Sequence, residues 1–375
     1  MSSSDRGRLL VVSHPAVLEA NQAVYVKLVE RGWNLRLVVP ARWRHEFAAR
    51  PFAPAAIAGI RDRLLTLPVL LAGRPQRHVY LARAARVIAK ERPLIVFIEA
   101  EAASMGAWQW GRAARRARVP FGVQVEENLD RKLPLIARLI RSASLEQASF
   151  LAARSPAAER LARAHGARGP AVFVPHGVPE WVVPPRRRNE IFTIGFAGRL
   201  VPEKGVLDLL AAARALNRRV QVVLVGDGPL RSAVTESADD HVNVVVRSDV
   251  PHERMADAYA SMDVLVLPSR TTSRWAEQYG RVLTEALWCG VPVIGSDSGE
   301  IPWIITQTGG GLVFPEGDIA ALAERLQRVA DDDGLAAELA QRGRDAVVRD
   351  FSLAAAAEAL DAALLGALSA HDGPR

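Results

Sequence analysis

The sequence predicts an α/β protein with two doubly wound, Rossmann-like domains that face each other across a cleft. Strand-like and helix-like patterns alternate through the first half of the chain and restart after a proline-rich segment. The strand-like runs are nearly continuous in valine, isoleucine and leucine, as in parallel strands covered by helices on both faces. A chain of 375 residues also exceeds what one hydrophobic core usually supports. We therefore expect domains over residues 1–185 and 186–350, and a C-terminal helix over 351–375 that packs near the domain junction.

The first half contains short apolar runs that predict buried strands, and the segments between them have helical periodicity. Strands are expected at 9–12, 35–39, 94–98, 121–125 and 171–174, with helices such as 17–30, 102–118 and 156–165. Residues 175–190 break this pattern, because they contain four prolines and a basic run. They are typical of a linker between domains.

The second half restarts the same alternation. Strands are expected at 191–197, 220–225, 242–246, 264–267, 291–294 and 311–314, and a closing helix, rich in alanine and leucine, at 353–364. Alternating strands and helices of this kind form a parallel sheet, which binds its ligands outside the carboxyl ends of the strands.

The net charge of +7 is unevenly distributed along the chain. Residues 1–185 carry 28 Lys and Arg against 14 Asp and Glu, whereas the remainder carries 20 against 27. A basic half is typical of proteins that bind nucleic acid, anionic lipid or a phosphorylated substrate, and arginine used as a general surface residue also explains much of the excess. Because the arginines are scattered over several helices without an RNP, KH or helix-turn-helix signature, we expect no nucleic-acid partner.

Cysteine content and hydropathy bound the cellular setting. The single cysteine, Cys289, excludes an internal disulfide and a multi-cysteine metal site. No signal-peptide pattern precedes the first strand, and no apolar run approaches the roughly 18 residues of a membrane-spanning helix. We therefore expect a cytoplasmic protein.

Glu277 and Glu285 lie eight residues apart, just after the strand expected at 264–267. A helix that begins at the carboxyl end of a strand favours phosphate at its N-terminus. Two carboxylates beside that phosphate would repel it, so they are better suited to accept hydrogen bonds from sugar hydroxyls. If the segment were helical throughout, the pair would be about 12 Å apart, beyond the roughly 5–9.5 Å of a glycoside-hydrolase pair. The spacing favours a nucleotide-sugar clamp. The alternative is one carboxylate favoured by the helix dipole and one on a solvated face.

A second candidate loop follows the strand at 191–197. Arg199 and Lys204 are five residues apart and flank the start of a helix expected at Glu203. Arginine binds phosphate bidentately and lysine supplies a compact charge, so the pair suits a diphosphate. The alternative is a proline-initiated helix with two surface charges.

Two further loops follow the next strands. The Gly226–Pro229 segment is a sharp turn, but Arg231 stands where a dinucleotide fingerprint needs its third glycine, which disfavours an oxidoreductase. Ser248, Asp249 and Val250 form a candidate base-binding loop, or an ordinary capped turn.

Four motifs carry a resemblance to a known family: FAGRLVPEKG at 196–205, VGDGP at 225–229, EQYGRVLTE at 277–285 and GVPVIGS at 290–296. They resemble the retaining glycosyltransferases of family 4, which have the GT-B fold. The resemblance is strong over residues 190–315 and only topological before them. It implies transfer of a hexosyl-type sugar from a nucleoside-diphosphate sugar to an acceptor, in polysaccharide or glycoconjugate biosynthesis. It also implies that neither a cofactor nor a metal is required, because cations and a helix dipole stabilise the departing diphosphate.

The resemblance assigns roles in the second domain, with Arg199, Lys204 and Glu277 as the expected catalytic residues. Arg199 and Lys204 are expected to hold the diphosphate. Glu277 would bind the sugar hydroxyls and Glu285 the ribose. The other expected donor-binding positions are Gly198, Tyr279, Gly280, Arg281, Val282 and Leu283. The favoured mechanism is front-face attack, in which the leaving phosphate takes the acceptor proton.

The first domain is expected to bind a sugar or lipid-linked acceptor. His14, after the first strand, is a candidate acceptor contact or a turn residue. Family members often have a cleft histidine after a mid-domain strand, but the corresponding loop here, Glu126-Glu127-Asn128, has none. A carboxylate or Asn128 is expected in its place. Glu99 and Glu101, just past the strand at 94–98, are expected to be exposed helix caps, with a position at the cleft as the alternative.

The apolar segment 64–72 is flanked by Arg61, Arg63, Arg74 and Arg77. It indicates either buried core or an interfacial patch that makes peripheral contact with anionic lipid at the inner face of the membrane. Two other functions stay open: a sugar-nucleotide epimerase of the same fold, and a non-catalytic nucleotide-sugar-binding subunit.

Overall fold

The computed structural model describes residues 6–44, 52–185 and 189–372. The chain divides into two compact units, one formed by Met1–Gly177 with Leu353–Arg375 and the other by Val178–Ser352. The sequence predicts the boundary at 185/186, whereas the structure places it at 177/178. Residues after 177 join the second unit because Val178 pairs with Ser352 and Trp181 O accepts a hydrogen bond from Trp288 Nε1 at 3.3 Å.

The first unit is built on a parallel sheet with a short hairpin beside it. Its strands are β1 (Arg8–Ser13), β2 (Asn34–Pro40), β3 (Leu64–Leu67), β4 (Val69–Leu70), β5 (Val79–Tyr80), β6 (Ile95–Glu99), β7 (Phe121–Val125), β8 (Phe150–Ala153) and β9 (Ala171–Phe173). The sheet has the order β3-β2-β1-β6-β7-β8-β9, and all its pairs are parallel. The β4-β5 hairpin is antiparallel. The carboxyl ends of the seven strands therefore share one edge of this sheet.

Helices cover both faces of this sheet. They are α1 (Ala23–Glu30), α2 (Ala84–Glu91), α3 (Met105–Arg116), α4 (Leu135–Gln147), α5 (Pro156–Ala164) and the C-terminal helix (Leu353–Asp372). Serine caps fix two helix starts, because Ser104 Oγ accepts from Ala107 N at 3.1 Å and Ser155 Oγ from Ala158 N at 3.2 Å. Short 3₁₀ turns span Pro15–Val17, Glu19–Gln22 and Arg61–Arg63.

The segment 64–72 is not one apolar patch. Leu64–Leu67 forms the edge strand β3, whose leucines pack partly buried against the cores on the two faces of the sheet. At the hairpin, Leu70 and Leu71 are more than half exposed. The alternation of a strand therefore leaves Thr66, Pro68, Leu70 and Leu71 exposed and the other residues of the segment only partly buried.

The C-terminal helix corrects the expectation about apolar runs. Its Leu353–His371 stretch is long and apolar enough to cross a membrane by length and composition. In the structure it packs against α1 and β8 of the first unit. Its Asp361 is buried, accepts a hydrogen bond from Trp33 Nε1 at 2.7 Å and pairs with Arg31. These contacts are those of a core helix that ties the end of the chain to the first unit.

The second unit contains a six-stranded parallel sheet. Its strands are β10 (Phe192–Ala197), β11 (Val220–Val225), β12 (Val242–Arg247), β13 (Val264–Leu267), β14 (Val293–Ser296) and β15 (Gly311–Phe314). The order is β12-β11-β10-β13-β14-β15, with every pair parallel. The chain runs outward from β10 to β12 and then returns to β13. This reversal between β10 and β13 is where doubly wound sheets open a crevice for ligands.

The helices of the second unit are α6 (Val206–Arg214), α7 (Arg231–Glu236), α8 (Met255–Ala260), α9 (Arg281–Trp288), α10 (Ile301–Thr308), α11 (Ile319–Asp331) and α12 (Asp333–Asp350), with 3₁₀ turns at Pro202–Lys204 and His252–Arg254. Because α9 begins at Arg281, the stretch between the two glutamates is not helical throughout. Glu277 lies in the loop before the helix and Glu285 within it. The fold thus has the predicted class, two doubly wound α/β units.

Candidate functional site

The loops after β10 and β11 are locked together by their backbones. Leu200 N donates to Asp227 O at 2.9 Å, and Leu230 N donates to Leu200 O at 3.0 Å. Gly226 has a φ of 142°, and a Cβ there would lie 1.9 Å from Gly198 O. Only glycine fits such an approach. The Gly198-Arg199-Leu200 turn is therefore held in place at the end of β10.

Lys204 is positioned at the end of β13 by a second close approach. It is the last residue of the 3₁₀ turn Pro202–Lys204. The sequence predicts a helix that starts at Glu203, whereas the α-helix begins at Val206. The next residue, Gly205, has a φ of 66°, and a Cβ there would lie 1.8 Å from Pro268 O. Lys204 Nζ lies 2.6 Å from Glu277 Oε2 and 4.9 Å from the ring centroid of Trp275.

Glu277 is held by the ends of three strands. Besides Lys204 after β10, Ser269 after β13 donates its hydroxyl to Glu277 Oε2 at 2.8 Å. Ser296, the last residue of β14, donates to Ser269 O at 2.6 Å. The Glu277 backbone is fixed as well, because Glu300 N donates to its carbonyl at 2.9 Å. Glu277 is 8% exposed, so this carboxylate is a buried charge with a direct cationic partner.

Glu285 lies on α9 and is also buried, at 5% exposure. Tyr259 donates its hydroxyl to Glu285 Oε2 at 2.7 Å, and Arg281 Nε lies 3.1 Å from Glu285 Oε1. Burial and the negative charge of Glu285 raise the pKa of Tyr259 well above its ordinary value. The alternative of a solvated carboxylate on an exposed helix face is therefore wrong for Glu285, and both glutamates of the motif are built into the unit.

The N-terminus of α9 is arranged as a helix start at the carboxyl end of β13. Gly280 has a φ of 72° and precedes the first helical residue, Arg281. Leu283 N donates to Gly280 O at 2.9 Å. This bond uses one of the backbone donors expected for phosphate, which leaves Gly280, Arg281 and Val282 as the first-turn candidates. The side chain of Tyr279 is buried at 3% exposure.

Two features of this unit have no counterpart in the sequence predictions. Arg270 pairs with Asp208 through two bonds of 2.6 Å, and its backbone N donates to Glu203 O at 2.8 Å. His252, whose ring centroid lies 5.2 Å from that of Trp181, has its pKa lowered by burial, against the raising effect of Glu285. The expected base loop ends at Val250, two residues before His252. Within that loop Ser248 contacts Asp249 at 3.4 Å. Asp249 is exposed, and so is Arg247, which precedes the loop. Nothing in the apolar pattern marks either contact, because both depend on loops meeting in space.

The predicted acceptor residues of the first unit lie after strands of its sheet. His14, after β1, contacts the rings of Trp43 and His78 at centroid distances of 5.3 and 5.2 Å. Burial and then the charge of His78 lower the pKa of His14 to about 3. His14 Nδ1 is buried without a hydrogen-bond partner among the described residues. The imidazole is therefore neutral at pH 7.

The loop after β7 forms a cluster of carboxyl groups. His176 Nε2 lies 2.9 Å from Glu126 Oε1, and Glu127 pairs with Arg131. Glu126 N and Glu127 N donate to Glu101 Oε1 at 2.8 and 3.1 Å. Burial and the charges of Glu126 and Glu127 raise the pKa of Glu101 to about 8. Asn128 continues the same loop.

The expectation that Glu99 and Glu101 are exposed helix caps is wrong. Glu99 is 6% exposed, accepts a hydrogen bond from Ser13 Oγ at 2.5 Å and pairs with Arg154 at 3.1 Å. Glu101 is bonded to the β7 loop as described above. The sequence predicts that His176 belongs to the linker, whereas it lies in the first unit, three residues after the end of β9 and so at the same sheet edge. Its place shortly after a strand is the signal that identifies it.

Among the residues that the structure describes, no group of three or more His, Cys, Asp or Glu side chains is arranged to hold a metal ion. The positively charged groups of the second unit that are expected to bind a diphosphate are Lys204 and Arg199, and the first turn of α9 adds backbone N–H donors. Together with two buried carboxylates, they suit a ligand that combines a diphosphate with several hydroxyl groups.

Residues 179–346 match the family described as glycosyl transferases group 1. The GDP-mannose-dependent alpha-mannosyltransferase of Mycobacterium tuberculosis is 36% identical over 166 residues, which cover 39% of this chain and 41% of that protein. The chain covers less than half the length of this and other curated relatives that it matches.

Two solved structures share the fold of the whole chain. Sucrose-phosphate synthase from Thermosynechococcus elongatus superposes with a TM-score of 0.72 at 19% identity, covering 97% of this chain and all of that one. Anabaena HepE, solved in complex with UDP, has a TM-score of 0.70 at 15% identity over 96% of this chain and all of that one. These likenesses extend over both units and identify the fold as GT-B.

Proposed function

We propose that this chain, whose second unit matches the group 1 glycosyl transferases and which has the GT-B fold, is a retaining glycosyltransferase. It would move a sugar from a nucleoside-diphosphate sugar to an acceptor in polysaccharide or glycoconjugate biosynthesis. The largely buried Lys204–Glu277 pair carries this proposal, because it joins a diphosphate-binding cation to a hydroxyl-binding carboxylate. The donor class is supported by the GDP-mannose-dependent relative.

The diphosphate is assigned to Lys204, Arg199 and the first turn of α9. An ammonium group has three N–H donors, so Lys204 can keep its bond to Glu277 and still donate to phosphate. Arginine adds a planar, bidentate donor. The positive end of the α9 dipole adds partial charge at the same edge of the sheet. These groups are expected to stabilise the charge that develops on the leaving diphosphate, without a cofactor.

The sugar is assigned to Glu277 and the ribose to Glu285. An ionised carboxylate accepts about four hydrogen bonds, and two of these on Glu277 are made by Lys204 and Ser269. A carboxylate oxygen of this kind is a suitable acceptor for sugar hydroxyl donors. Glu285 is anchored by Tyr259 and Arg281, which holds its carboxylate ready for a second polyol, the ribose.

The proposed chemistry is front-face substitution at the anomeric carbon. The bond between that carbon and the diphosphate oxygen breaks, and the acceptor oxygen bonds to the carbon on the same face. The acceptor hydroxyl proton passes to the departing phosphate oxygen. The role of this chain is to hold both reactants and to stabilise the leaving charge.

We assign the acceptor to the first unit, with His14, Glu126, Glu127 and Asn128 as its expected contacts. His14 is neutral, so one of its ring nitrogens can donate and the other can accept. His176, held by Glu126, joins this set. We propose a cytoplasmic protein that makes peripheral contact with the inner face of an anionic membrane.

The test uses the full chain and a panel of nucleoside-diphosphate sugars. A bound donor at 100 times its Kd is expected to stabilise the protein by about 2.7 kcal/mol, which raises its melting temperature by several degrees. Acceptor-dependent release of nucleoside diphosphate then identifies a transferase. An epimerase would convert the donor without an acceptor, and a silent subunit would bind without turnover.

The control compares Lys204→Met with Lys90→Met, at an exposed lysine on α2. The proposal requires that only Lys204→Met lose donor stabilisation. The anomeric configuration of the product, read by proton NMR coupling constants, tests retention. If no donor in the panel shifts the melting temperature, the donor-site assignment is refuted.

A further inference from the structure

Helix α4 of the first unit presents an apolar edge to solvent. Leu135, Ile136 and Leu139 are 66%, 71% and 62% exposed. Positions separated by three or four residues share one side of a helix, so Leu135 and Leu139 lie together with Ile136 beside them. Single exposed leucines are ordinary, but three large aliphatic residues in the first turns of one helix form a contiguous patch.

Cations surround this patch. Arg131, Lys132 and Arg138 are exposed on the same segment, and Arg131 is partly neutralised by Glu127. Arg141, one turn further on, lies 3.6 Å from Asp130. From 130 to 141 the segment carries four cations against one acid, so its net charge is positive even where pairs form.

A second patch of the same composition belongs to the β4-β5 hairpin. Its exposed aliphatic residues are Leu70, Leu71 and Leu81, at 54–56% exposure. The exposed arginines around them are Arg74, Arg77 and Arg83. Leu70 and Leu71 belong to the segment 64–72, whereas Leu81 follows β5.

Both patches lie at one edge of the first unit. The hairpin follows the carboxyl end of β3, and α4 begins after the loop that follows the carboxyl end of β7. The carboxyl ends of parallel strands share an edge, which is also the edge of the expected acceptor residues after β1 and β7. An apolar patch ringed by arginine and lysine at this edge is complementary to a bilayer, whose acyl region is apolar and whose anionic headgroups are negative.

We propose that Leu135, Ile136 and Leu139 of α4, with the hairpin leucines as a second contact, dock this unit on an anionic lipid surface. The acceptor would then be amphiphilic, with its sugar or hydroxyl end presented at the docked edge. This statement about the acceptor rests on the proposed glycosyltransferase function, whereas docking itself does not. Docking is reversible, since it uses a few side chains and screened charges.

Sedimentation with vesicles tests the docking. The full chain is mixed with phosphatidylcholine vesicles that contain or lack phosphatidylglycerol, at low and high salt. Binding is expected only to the anionic vesicles, and it is expected to fall as salt rises. Lys132→Gln with Arg138→Gln removes two cations and is expected to weaken binding about 30-fold, on the order of 2 kcal/mol at 1.4 kcal/mol per tenfold.

Leu135→Ser with Leu139→Ser removes the apolar contact and is expected to abolish most of the remaining binding. The matched control is Val348→Ser on α12 of the second unit, which is 48% exposed. All these side chains are on the surface, so folding is expected to be unchanged, with the same melting temperature as the parent. Equal binding to neutral and anionic vesicles, or unchanged binding by the leucine variant, would overturn the proposal.

Light scattering tests whether the face binds a second copy of the chain and not a lipid surface. A dimer in solution that the leucine variant converts to monomer, with no vesicle binding by either, would overturn docking and make this face a dimer interface. Donor stabilisation in the thermal assay is expected to be the same for the parent and the leucine variant. Absence of vesicle binding by the parent with retained donor binding would therefore refute docking and leave the proposed function intact. Vesicle binding by the parent with no donor binding would refute the proposed function and leave docking intact.

Discussion

The Lys204–Glu277 pair gives the most specific prediction about the second unit. Removing both charges is expected to restore stability but not sugar transfer. The two side chains are 14% and 11% exposed, with Nζ and Oε2 2.6 Å apart. Lys204→Met keeps an unbranched side chain beside the ring of Trp275 and removes the charge. Glu277→Gln keeps an oxygen for the Ser269 hydroxyl and removes the charge on the other side.

The magnitude follows from what each single change leaves behind. Removing one partner of a buried pair leaves an uncompensated charge and costs about 3–5 kcal/mol. The residual exposure of both side chains points to the lower end, about 3 kcal/mol. Removing both charges together leaves neither charge of the pair uncompensated, so the double variant is expected to lie within about 1 kcal/mol of the parent. The expected coupling is therefore several kcal/mol.

Transfer is expected to behave differently. Losing a charge-assisted contact to the diphosphate costs about 1.5–3 kcal/mol, or roughly 10- to 150-fold in kcat/KM. The double variant lacks both the phosphate contact and the charged sugar contact, so it stays inactive although it is stable.

Denaturant unfolding followed by tryptophan fluorescence measures the stability of the four species, and acceptor-dependent release of nucleoside diphosphate measures transfer. Arg254→Met is the control, since it breaks an exposed pair with Asp257 and is expected to change stability by less than about 1 kcal/mol. A double variant as unstable as the single ones would refute the buried pair. A double variant with parental transfer would refute its role in the donor site.

Three further predictions concern the remaining site residues. Arg199→Ala is expected to lower kcat/KM by roughly 10- to 150-fold, whereas Arg231→Ala, at an exposed pair with Asp227, leaves it unchanged; equal activity of the two variants contradicts the diphosphate assignment. Glu285→Gln keeps an acceptor for the Tyr259 hydroxyl but weakens nucleoside-diphosphate binding by roughly tenfold in calorimetry, and parental affinity would remove Glu285 from the ribose site. Glu101 has a pKa of about 8 in the folded state, against 4.5 ordinarily, so between these pH values the folded state holds a proton that the unfolded state lacks and its stability falls as pH rises. Glu101→Gln removes that loss, so the melting temperature of the variant relative to the parent is expected to rise from pH 5 to pH 8, and a constant difference would show that Glu101 does not titrate in this range.

The two carboxylates of the motif also show how one pattern serves different surroundings. Glu277 is held by a cation from a neighbouring loop, whereas Glu285 is held by a tyrosine and by an arginine one turn earlier on its own helix. Both are buried, and both would otherwise be costly. Such costs are common where a unit is built to receive a polar ligand.

The sequence by itself determined the α/β class, the two parallel sheets and the donor-site candidates. These follow from local patterns: continuous runs of branched residues indicate buried parallel strands, and loops after such strands must meet at one edge. Lys204 and Glu277 follow two such strands, and their side chains contact each other although they are 73 residues apart.

Only the tertiary structure decided which partners the polar groups have. Glu99 and Glu101 have the sequence signature of helix caps, but one is buried against Arg154 and the other accepts two backbone donors from the loop after β7. The proline-rich pattern assigns His176 to a linker. Composition alone also cannot distinguish the exposed apolar side of α4 from a buried one. Apolar periodicity reports which residues fit a face, whereas the burial of a charge, or the exposure of a leucine, depends on what packs against it from distant parts of the chain.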